Sequence, residues 1–177
     1  MLRWSNVRDL LLFEIWLNSA LRISDLLSMK VGDVFDDQWI VKDYFDIVEK
    51  KTGKTNRITL TPKVKQSLLL YHQTYQGIVK DGSNYLFFNQ RSYPLGSKWI
   101  TRKMGWILID RWCKSVWLKG NFWGHTLRKS WGYQARMNGI SLEIVMFKLN
   151  HSSLKITQKY LWITADELAE ACNKLDL

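Results

Sequence analysis

The sequence is poor in cysteine and histidine, and each shortage argues against a class of protein. Cys113 and Cys172 are its only two cysteines, and they lie far apart without metal-ligand spacing. A disulfide framework is therefore not expected, and a reducing cytoplasm is the simplest environment. With three histidines and no Cys-x-x-Cys pattern, structural zinc is not expected either.

Long apolar runs and linker-like stretches are also missing. The apolar stretch at residues 10–17 is too short to span a bilayer, and Glu14 interrupts it. No signal peptide, internal repeat or stretch rich in proline, glycine and serine is visible. We therefore expect one continuous domain over residues 1–177, cytoplasmic and without membrane contact, and trimmed from a larger protein.

Tryptophan and positive charge are what the sequence has in excess. Ten tryptophans occur, and most are expected in the core because buried aromatic rings contribute large apolar areas. The formal net charge of +10 and the pI of 9.6 suit an anionic partner such as nucleic acid. Charge alone is equally compatible with a basic protein of another kind.

The hydrophobic pattern predicts an α+β chain that is mostly helical. Segments 39–41, 44–48 and 57–60 are strand-like and are expected to form a three-stranded antiparallel sheet with a basic hairpin tip. Cap signals place Ser24 at the start of a short helix, and Thr61 before Pro62 at the start of another. The longer helices are expected at residues 7–20, 62–75, 97–117, 125–137, 142–149, 154–162 and 166–177.

Two basic segments in the first half of the chain are candidates for phosphate contact. Arg22 lies at the junction of two apolar helices, where a partly buried guanidinium needs an anionic partner. An internal ion pair with Asp25 is the plainer interpretation of that segment alone. The hairpin lysines could enter a DNA groove, and one could donate a proton to a leaving oxygen. A solvated turn is the simpler alternative for them.

Two further candidate segments lie in the second half. His125 and Arg128 are three residues apart on a predicted helix and would share a face, where they could grip one phosphate. Scattered polar residues at a helix start fit equally well. His151 opens a helix that carries Tyr160, whose oxygen is a feasible nucleophile at phosphorus when cations stabilise its anion. Tyr160 by itself also fits an ordinary core position.

Together these segments resemble the catalytic domain of the tyrosine recombinase (phage integrase) family. The resemblance covers about residues 6–163, and six residues follow in the family's order. They are Arg22 in Leu-Arg-Ile-Ser-Asp-Leu-Leu, Lys51 before Thr-Gly, His125-x-x-Arg128, His151 and Tyr160. The resemblance implies a helical bundle with a small antiparallel sheet and chemistry that uses no metal, cofactor or ATP.

The resemblance also implies a role for each residue. Tyr160 is similar to the nucleophile that attacks the scissile phosphate and becomes a 3′-phosphotyrosine. Arg22 and Arg128 match the arginines that bind the non-bridging oxygens and stabilise the transition state. Lys51 matches the acid that protonates the leaving 5′ oxygen.

The remaining positions carry assisting roles in the family. His125 matches the residue that helps to move the nucleophile's proton, and His151 matches a donor to the phosphate. Asp25 stands where the family often has an acid that orients the first arginine. Two departures occur: Ala20 and Asn150 both stand where glycine is frequent, and Asn tolerates the left-handed backbone fairly well.

Several DNA-facing residues are expected around this site. Lys50 and Lys54 compete with Lys51 as the hairpin acid, and Lys51 is chosen because it precedes Thr-Gly. The expected DNA-binding residues are Lys50, Lys54, Arg57 and Lys129. The region of Arg91, Lys98, Arg102 and Lys103 is a further candidate surface, although a solvated helix face explains it more simply.

The function implied by the resemblance is site-specific recombination of double-stranded DNA, as in phages and other mobile elements. The family implies a homotetramer on DNA, with the free protein a monomer, and association with the bacterial nucleoid when bound. The family's N-terminal DNA-clamping domain is expected to be absent from this chain. The tail helix would dock on a neighbouring protomer or on its own domain. A type IB-like topoisomerase and an inactive DNA-binding accessory module are the alternatives.

Overall fold

The computed structural model describes residues 6–161, and this part of the chain is mostly helical with a small antiparallel sheet. No helix in the described part is long and apolar enough to cross a membrane. The predicted helix at 166–177 lies outside the described residues. The elements in chain order are α1 Val7–Ser19, α2 Ile23–Leu27, α3 Val31–Val34, β1 Tyr44–Val48, β2 Thr55–Thr59, α4 Pro62–Thr74, α5 Gln76–Val79, α6 Arg102–Ser115, α7 Thr126–Met137, α8 Leu142–Lys148 and α9 Leu154–Leu161.

Side-chain caps explain where the longer helices begin. Asn6 accepts the Asp9 N–H at 2.8 Å at the start of α1, and Thr61 accepts the Val64 N–H ahead of α4. Thr101 accepts the Met104 N–H at 3.2 Å, so α6 begins later than the predicted residue 97. The prediction of Ser24 as a cap was wrong, because α2 already begins at Ile23, one residue before Ser24.

The sheet has two strands rather than the predicted three. β1 and β2 pair antiparallel, with Phe45 opposite Ile58, and both of these side chains are buried. Val41 forms only an isolated bridge with Phe35. The segment before Val41 is bent into a turn, because the Asp36 carboxylate accepts the Ile40 N–H at 2.8 Å and so prevents an extended strand there.

The described part of the chain forms two compact units, which divide between Arg128 and Lys129. In the first unit, α1 packs against α4 around a core that includes Trp16, Leu12 and Tyr71, all fully buried. The prediction that most tryptophans are buried was wrong: among those described, only Trp16 and Trp112 are buried.

Several large side chains on and after α6 are exposed instead. Trp106 and Trp123 meet edge to face, with their ring centroids 6.1 Å apart, and Trp117 is 91% exposed. We use the name apolar patch for the exposed large apolar side chains of the second half of α6 and the segment that follows it: Trp106, Ile107, Trp117, Leu118 and Trp123.

The second unit contains the end of α7 together with α8 and α9. Its buried residues include Val145, Leu149 and Leu161. Gly132 on α7 permits close packing, because a Cβ at that position would lie 2.6 Å from the Leu161 Cδ2 atom. A small residue is therefore needed where α7 faces the end of α9.

Candidate active site

Arg22 lies between the first two helices of the first unit. Ala20 ends α1 in the left-handed conformation, with φ 56°, and Arg22 occupies the N-cap position of α2. Its side chain is 16% exposed. The sharp turn after α1 thus leaves the guanidinium mostly sheltered but still partly accessible.

The anionic partner of Arg22 is Glu49. Arg22 Nη1 forms an ion pair with Glu49 Oε2, and the Glu49 side chain is fully buried. Asn56 Nδ2 donates to Glu49 Oε1 at 2.9 Å, and Thr52 Oγ1 donates to Oε2 at 3.3 Å. Burial of a carboxylate is costly unless donors surround it, and this one has three. The expected alternative for Arg22 was an ion pair with Asp25, and the structure shows a different acid.

The sequence carried a signal for Glu49 that the sequence analysis missed. Side chains alternate between the two faces of a strand, and in β1 Phe45 points into the core. Continued by two-residue steps, the same face carries Ile47 and then Glu49. An acid that follows an inward-facing pattern needs a buried cationic partner.

Asp25 fastens the base of the hairpin. Its side chain is fully buried, and Oδ1 accepts the Lys50 N–H at 3.1 Å. Its Oδ2 atom is buried with no hydrogen-bond partner among residues 6–161. The described contact of Asp25 is therefore with the hairpin backbone, next to Lys51, and not with Arg22.

The hairpin tip presents its lysines in different ways. The Glu49 carbonyl accepts the Gly53 N–H at 2.8 Å, and Gly53 adopts φ 67°, which closes the turn. Lys50 Nζ lies 5.3 Å from the centre of the Trp99 ring, a cation–π contact. Lys51 and Lys54 are exposed at the tip.

Arg128 and His125 flank the start of α7. The Arg128 side chain is nearly fully buried, and its Nη1 donates to the Ala20 carbonyl oxygen at 2.5 Å. His125 is exposed and lies one residue before the helix, which begins at Thr126 rather than at the predicted residue 125. A turn delays the helix start, because the Thr126 N–H donates to the Trp123 carbonyl at 2.8 Å.

Gly124, which the sequence analysis also missed, allows close packing beside Arg22. A Cβ at Gly124 would lie 2.9 Å from Trp106 Nε1 and 3.3 Å from Ile23 Cγ2. Ile23 directly follows Arg22. The absence of a side chain at Gly124 therefore brings the segment that carries His125 close to the start of α2.

In the second unit, a Schellman motif at the end of α8 positions His151. The His151 N–H donates to the Met146 carbonyl at 3.0 Å, and the Asn150 N–H donates to the Phe147 carbonyl at 2.9 Å. Asn150 adopts φ 52°. The expectation that Asn tolerates the left-handed backbone at this family glycine position is confirmed.

His151 and Tyr160 lie side by side. Their ring centroids are 5.0 Å apart in an edge-to-face arrangement. His151 Nδ1 is 3.0 Å from Oγ1 of Thr157, which is fully buried, and Lys129 Nζ lies 5.4 Å from the centre of the Tyr160 ring. A cavity of about 400 Å³ opens beside this cluster. It is lined by Lys129, Ser130, Tyr133, Gln134, Tyr160 and Leu161.

The expected DNA-binding residues differ in how free their charges are. Arg57 binds Asp46 through two hydrogen bonds of 2.9 and 2.8 Å and stacks on Tyr44, 4.0 Å from the ring centre. The hydrogen bond from Arg57 lowers the pKa of the Asp46 carboxyl. The guanidinium of Arg57 is thus already neutralised by an acid. The more distant candidates are all exposed: Arg91, Lys98, Arg102 and Lys103.

The six family-type residues are divided between the two units. Arg22, Lys51, His125 and Arg128 belong to the first unit, and His151 and Tyr160 belong to the second. The first set offers cationic donors and the second offers a tyrosine hydroxyl beside an imidazole. Among the described residues, no group of three or more His, Cys, Asp or Glu side chains is arranged to hold a metal.

Comparison with known sequences identifies relatives of one kind. A model of the phage integrase family matches residues 3–167. Tyrosine recombinase XerA of Pyrococcus horikoshii is 29% identical over 173 residues, which cover 97% of this chain and 56% of that protein. A probable integrase/recombinase of Bacillus subtilis, YoeC, is 32% identical over 161 residues, with 91% and 81% covered. The chain spans about half the length of XerA and of XerD from Corynebacterium glutamicum, 56% and 51%.

Solved structures show the same fold. The XerH site-specific recombinase bound to its palindromic difH substrate, in a post-cleavage complex, superposes with a TM-score of 0.76 at 21% identity. That alignment covers 97% of this chain and 46% of XerH. A crystal structure of XerA recombinase gives a TM-score of 0.72 at 18% identity over 96% of this chain and 57% of XerA. The expected fold, a helical bundle with a small antiparallel sheet like that of the tyrosine recombinases, is confirmed.

Proposed function

Because the chain belongs to the phage integrase family, we propose that it is the catalytic domain of a site-specific DNA recombinase. The observation that carries this proposal is the family match over residues 3–167, which includes all six residues of the expected site. The reaction would break and rejoin DNA strands through a covalent link between the DNA and Tyr160, with neither metal nor ATP.

In the proposed reaction, the Tyr160 hydroxyl oxygen attacks the scissile phosphorus and forms a 3′-phosphotyrosine. The bond from phosphorus to the 5′ oxygen breaks, and that oxygen takes a proton from the Lys51 ammonium. The phosphotyrosine conserves the energy of the phosphodiester, so the 5′ hydroxyl of another strand can reverse the step and reseal the DNA. Arg22 and Arg128 bind the non-bridging oxygens, whose charge grows in the transition state.

The histidines and Asp25 have assisting roles in this proposal. His125 moves the proton of the tyrosine hydroxyl, and His151 donates a hydrogen bond to the phosphate. The 3.0 Å contact between His151 Nδ1 and Thr157 supports this role, because it holds the ring through one nitrogen and leaves the other on the opposite side of the ring from Thr157. Asp25 acts on the hairpin that carries Lys51, through the Lys50 N–H.

The proposed partner is double-stranded DNA, bound in the cytoplasm and on the nucleoid. The net charge of +10 supports an anionic partner, and the XerH structure holds that protein's DNA substrate. We propose a monomer in free solution and a homotetramer on two DNA sites. The DNA-clamping function would come from a domain outside residues 1–177, consistent with the larger size of the curated relatives.

The decisive experiment is covalent trapping on a nicked duplex without metal. Tyr160→Phe should abolish the denaturation-resistant protein–DNA adduct while DNA binding is retained. Tyr133→Phe is the matched control, because Tyr133 lines the same cavity, and this variant should form the adduct normally. An adduct that persists in Tyr160→Phe would show that the nucleophile is another residue.

Two further results would favour the alternative functions. Relaxation of supercoiled plasmid that lacks any specific site would favour a type IB-like topoisomerase. Tight DNA binding without any adduct from the Tyr160 protein would favour an accessory DNA-binding module.

A further inference from the structure

Glu49 is a buried acid to which the proposed mechanism assigns no role. Its carboxylate is fully buried and accepts from Arg22, Asn56 and Thr52. Replacement of a buried ion pair by apolar residues is often neutral or stabilising, so a buried carboxylate is weak evidence for a purely structural role. Its three donors come from three different places in the fold, and that arrangement indicates what it does.

Two of these donors belong to the parts of the site that must act together. Arg22 is the proposed phosphate ligand, and Thr52 directly follows Lys51, the proposed acid. Both donate to the same oxygen atom, Oε2 of Glu49. One carboxylate oxygen therefore joins the guanidinium to the hairpin tip.

The backbone of Glu49 holds the same tip. Its carbonyl accepts the N–H groups of Thr52 and Gly53 at 3.2 and 2.8 Å, and its own N–H donates to the Lys54 carbonyl at 3.0 Å. Asn56, which lies in β2, donates a hydrogen bond to the other carboxylate oxygen, Oε1. A shift of the Glu49 side chain would therefore change the position of Lys51 relative to Arg22.

We propose that Glu49 is a positioning residue that fixes the Lys51 hairpin against Arg22, so that the proton donor and the phosphate ligand keep a set spacing. The proposal rests on the proposed function. In the cleavage step, the electron pair of the breaking bond goes to the 5′ oxygen, which takes the Lys51 proton. When the hairpin is displaced, the alkoxide must leave without that proton, and cleavage slows while DNA binding remains.

The test compares two leaving groups in the Glu49→Gln variant. A positioned acid contributes on the order of 10²–10⁴-fold to a rate, and we expect this variant to lose about tenfold to a hundredfold in single-turnover cleavage of ordinary DNA. A substrate with sulfur in place of the bridging 5′ oxygen releases a thiolate, a much weaker base that leaves without an acid. On that substrate the variant should cleave within about threefold of the wild type, as expected for an effect that acts through the acid.

Three further variants serve as controls for the comparison of the two substrates. Lys51→Ala should be rescued by the sulfur substrate and Arg22→Ala should not, because Arg22 contacts the non-bridging oxygens. Asp43→Asn makes the same carboxylate-to-amide change in an exposed ion pair with Lys65, one residue before β1. It should behave as the wild type on both substrates.

An equal loss on both substrates, or no loss on either, would overturn the role of Glu49. If Glu49→Gln does not fold, Thr52→Val removes one hydrogen bond to Glu49 at an exposed position, and the same sulfur-dependent rescue is expected from it. Thr52→Val with wild-type cleavage of both substrates would contradict the proposal. The proposed function fails separately, when the wild-type protein gives no adduct that depends on Tyr160.

Discussion

At Thr157, one buried hydroxyl group determines how His151 is held. Thr157 Oγ1 is 3.0 Å from His151 Nδ1 and 3.4 Å from the Ser153 carbonyl oxygen. When its proton points to Nδ1, the neutral ring carries its own proton on Nε2. When the proton points to Ser153, Thr157 accepts from a protonated Nδ1, and in the imidazolium Nε2 is again a donor. Nε2 can therefore donate to a phosphate oxygen in the first arrangement, and in the second only when the ring is an imidazolium, because the neutral ring with its proton on Nδ1 has Nε2 as an acceptor.

The Thr157→Val variant tests that arrangement. Valine keeps the shape of the side chain and removes the hydroxyl, so the imidazole loses its orientation. We expect cleavage to fall by about tenfold, which corresponds to roughly 1–1.5 kcal/mol for one hydrogen bond. Thr157→Ser retains the hydroxyl and should keep most of the activity in single-turnover assays. Equal activity of the two variants would show that the hydroxyl is not needed.

Tyr71 provides a prediction about stability. Its buried hydroxyl donates to the Leu86 carbonyl at 2.7 Å, and burial raises its pKa. Tyr71→Phe should lower the free energy of unfolding by about 1–2 kcal/mol at neutral pH, and the melting temperature by roughly 2–8 °C. Tyr93→Phe, at a residue that is 95% exposed, should leave both unchanged.

The raised pKa of Tyr71 also fixes the direction of a pH effect. The contribution of Tyr71 to the free energy of unfolding is fully present below about pH 10, the ordinary tyrosine pKa. It is lost as the pH rises further, because only the unfolded state ionises readily. The difference in stability between the wild type and Tyr71→Phe should therefore narrow in alkaline solution. Urea unfolding across that pH range measures it, and a constant difference would contradict the assignment.

Among the elements, the hairpin depends on one glycine for its turn. Gly53 has φ 67°, and no atom lies within 4 Å of a Cβ placed there. A side chain at this position would therefore meet no steric clash with its neighbours, and only the left-handed backbone conformation disfavours it. Gly53→Ala should destabilise by about 1 kcal/mol. Gly77 in α5 is equally open but is helical, so Gly77→Ala should stabilise by roughly 0.5–1 kcal/mol. Chemical denaturation of the two variants should give shifts of opposite sign.

Local signals in the sequence placed most elements but not their tertiary partners. Asn6 and Thr61 are ordinary caps, and the long periodic helices they begin were predicted nearly to their ends. The third strand failed because Asp36 closes a turn through its side chain. Helix α6 begins at Arg102 rather than at the predicted residue 97, because the Thr101 side chain caps it there.

In the candidate site, too, the residues could be predicted from the sequence but their tertiary contacts could not. Motif order identified Arg22 and Arg128 as candidates, but not that one binds Glu49 and the other the Ala20 carbonyl. Such contacts join residues that are distant in sequence, and composition and spacing do not specify them. Only the alternation along β1 gave a local indication that Glu49 points inward.

For the molecule as a whole, the balance of charge should control DNA affinity. Each lysine or arginine that neutralises a phosphate adds about 0.9 to the slope of log K against log salt concentration. Lys54 is exposed and forms no ion pair among the described residues, whereas Arg57 is held by Asp46. Lys54→Ala should therefore reduce the slope by about one, and Arg57→Ala by less than half as much. Equal reductions in a fluorescence anisotropy titration would contradict this difference.

The apolar patch affects the tendency of the protein to aggregate in solution. Mutual repulsion between molecules of charge +10 keeps such exposed tryptophans apart at low ionic strength. The Debye length falls from about 10 Å in 0.1 M salt to about 3 Å in 1 M salt, so the salt that strips nucleic acid from the protein also removes this repulsion. Conditions that remove bound nucleic acid therefore also favour aggregation. Concentrated solutions should precipitate at high salt unless a mild detergent covers the indole rings.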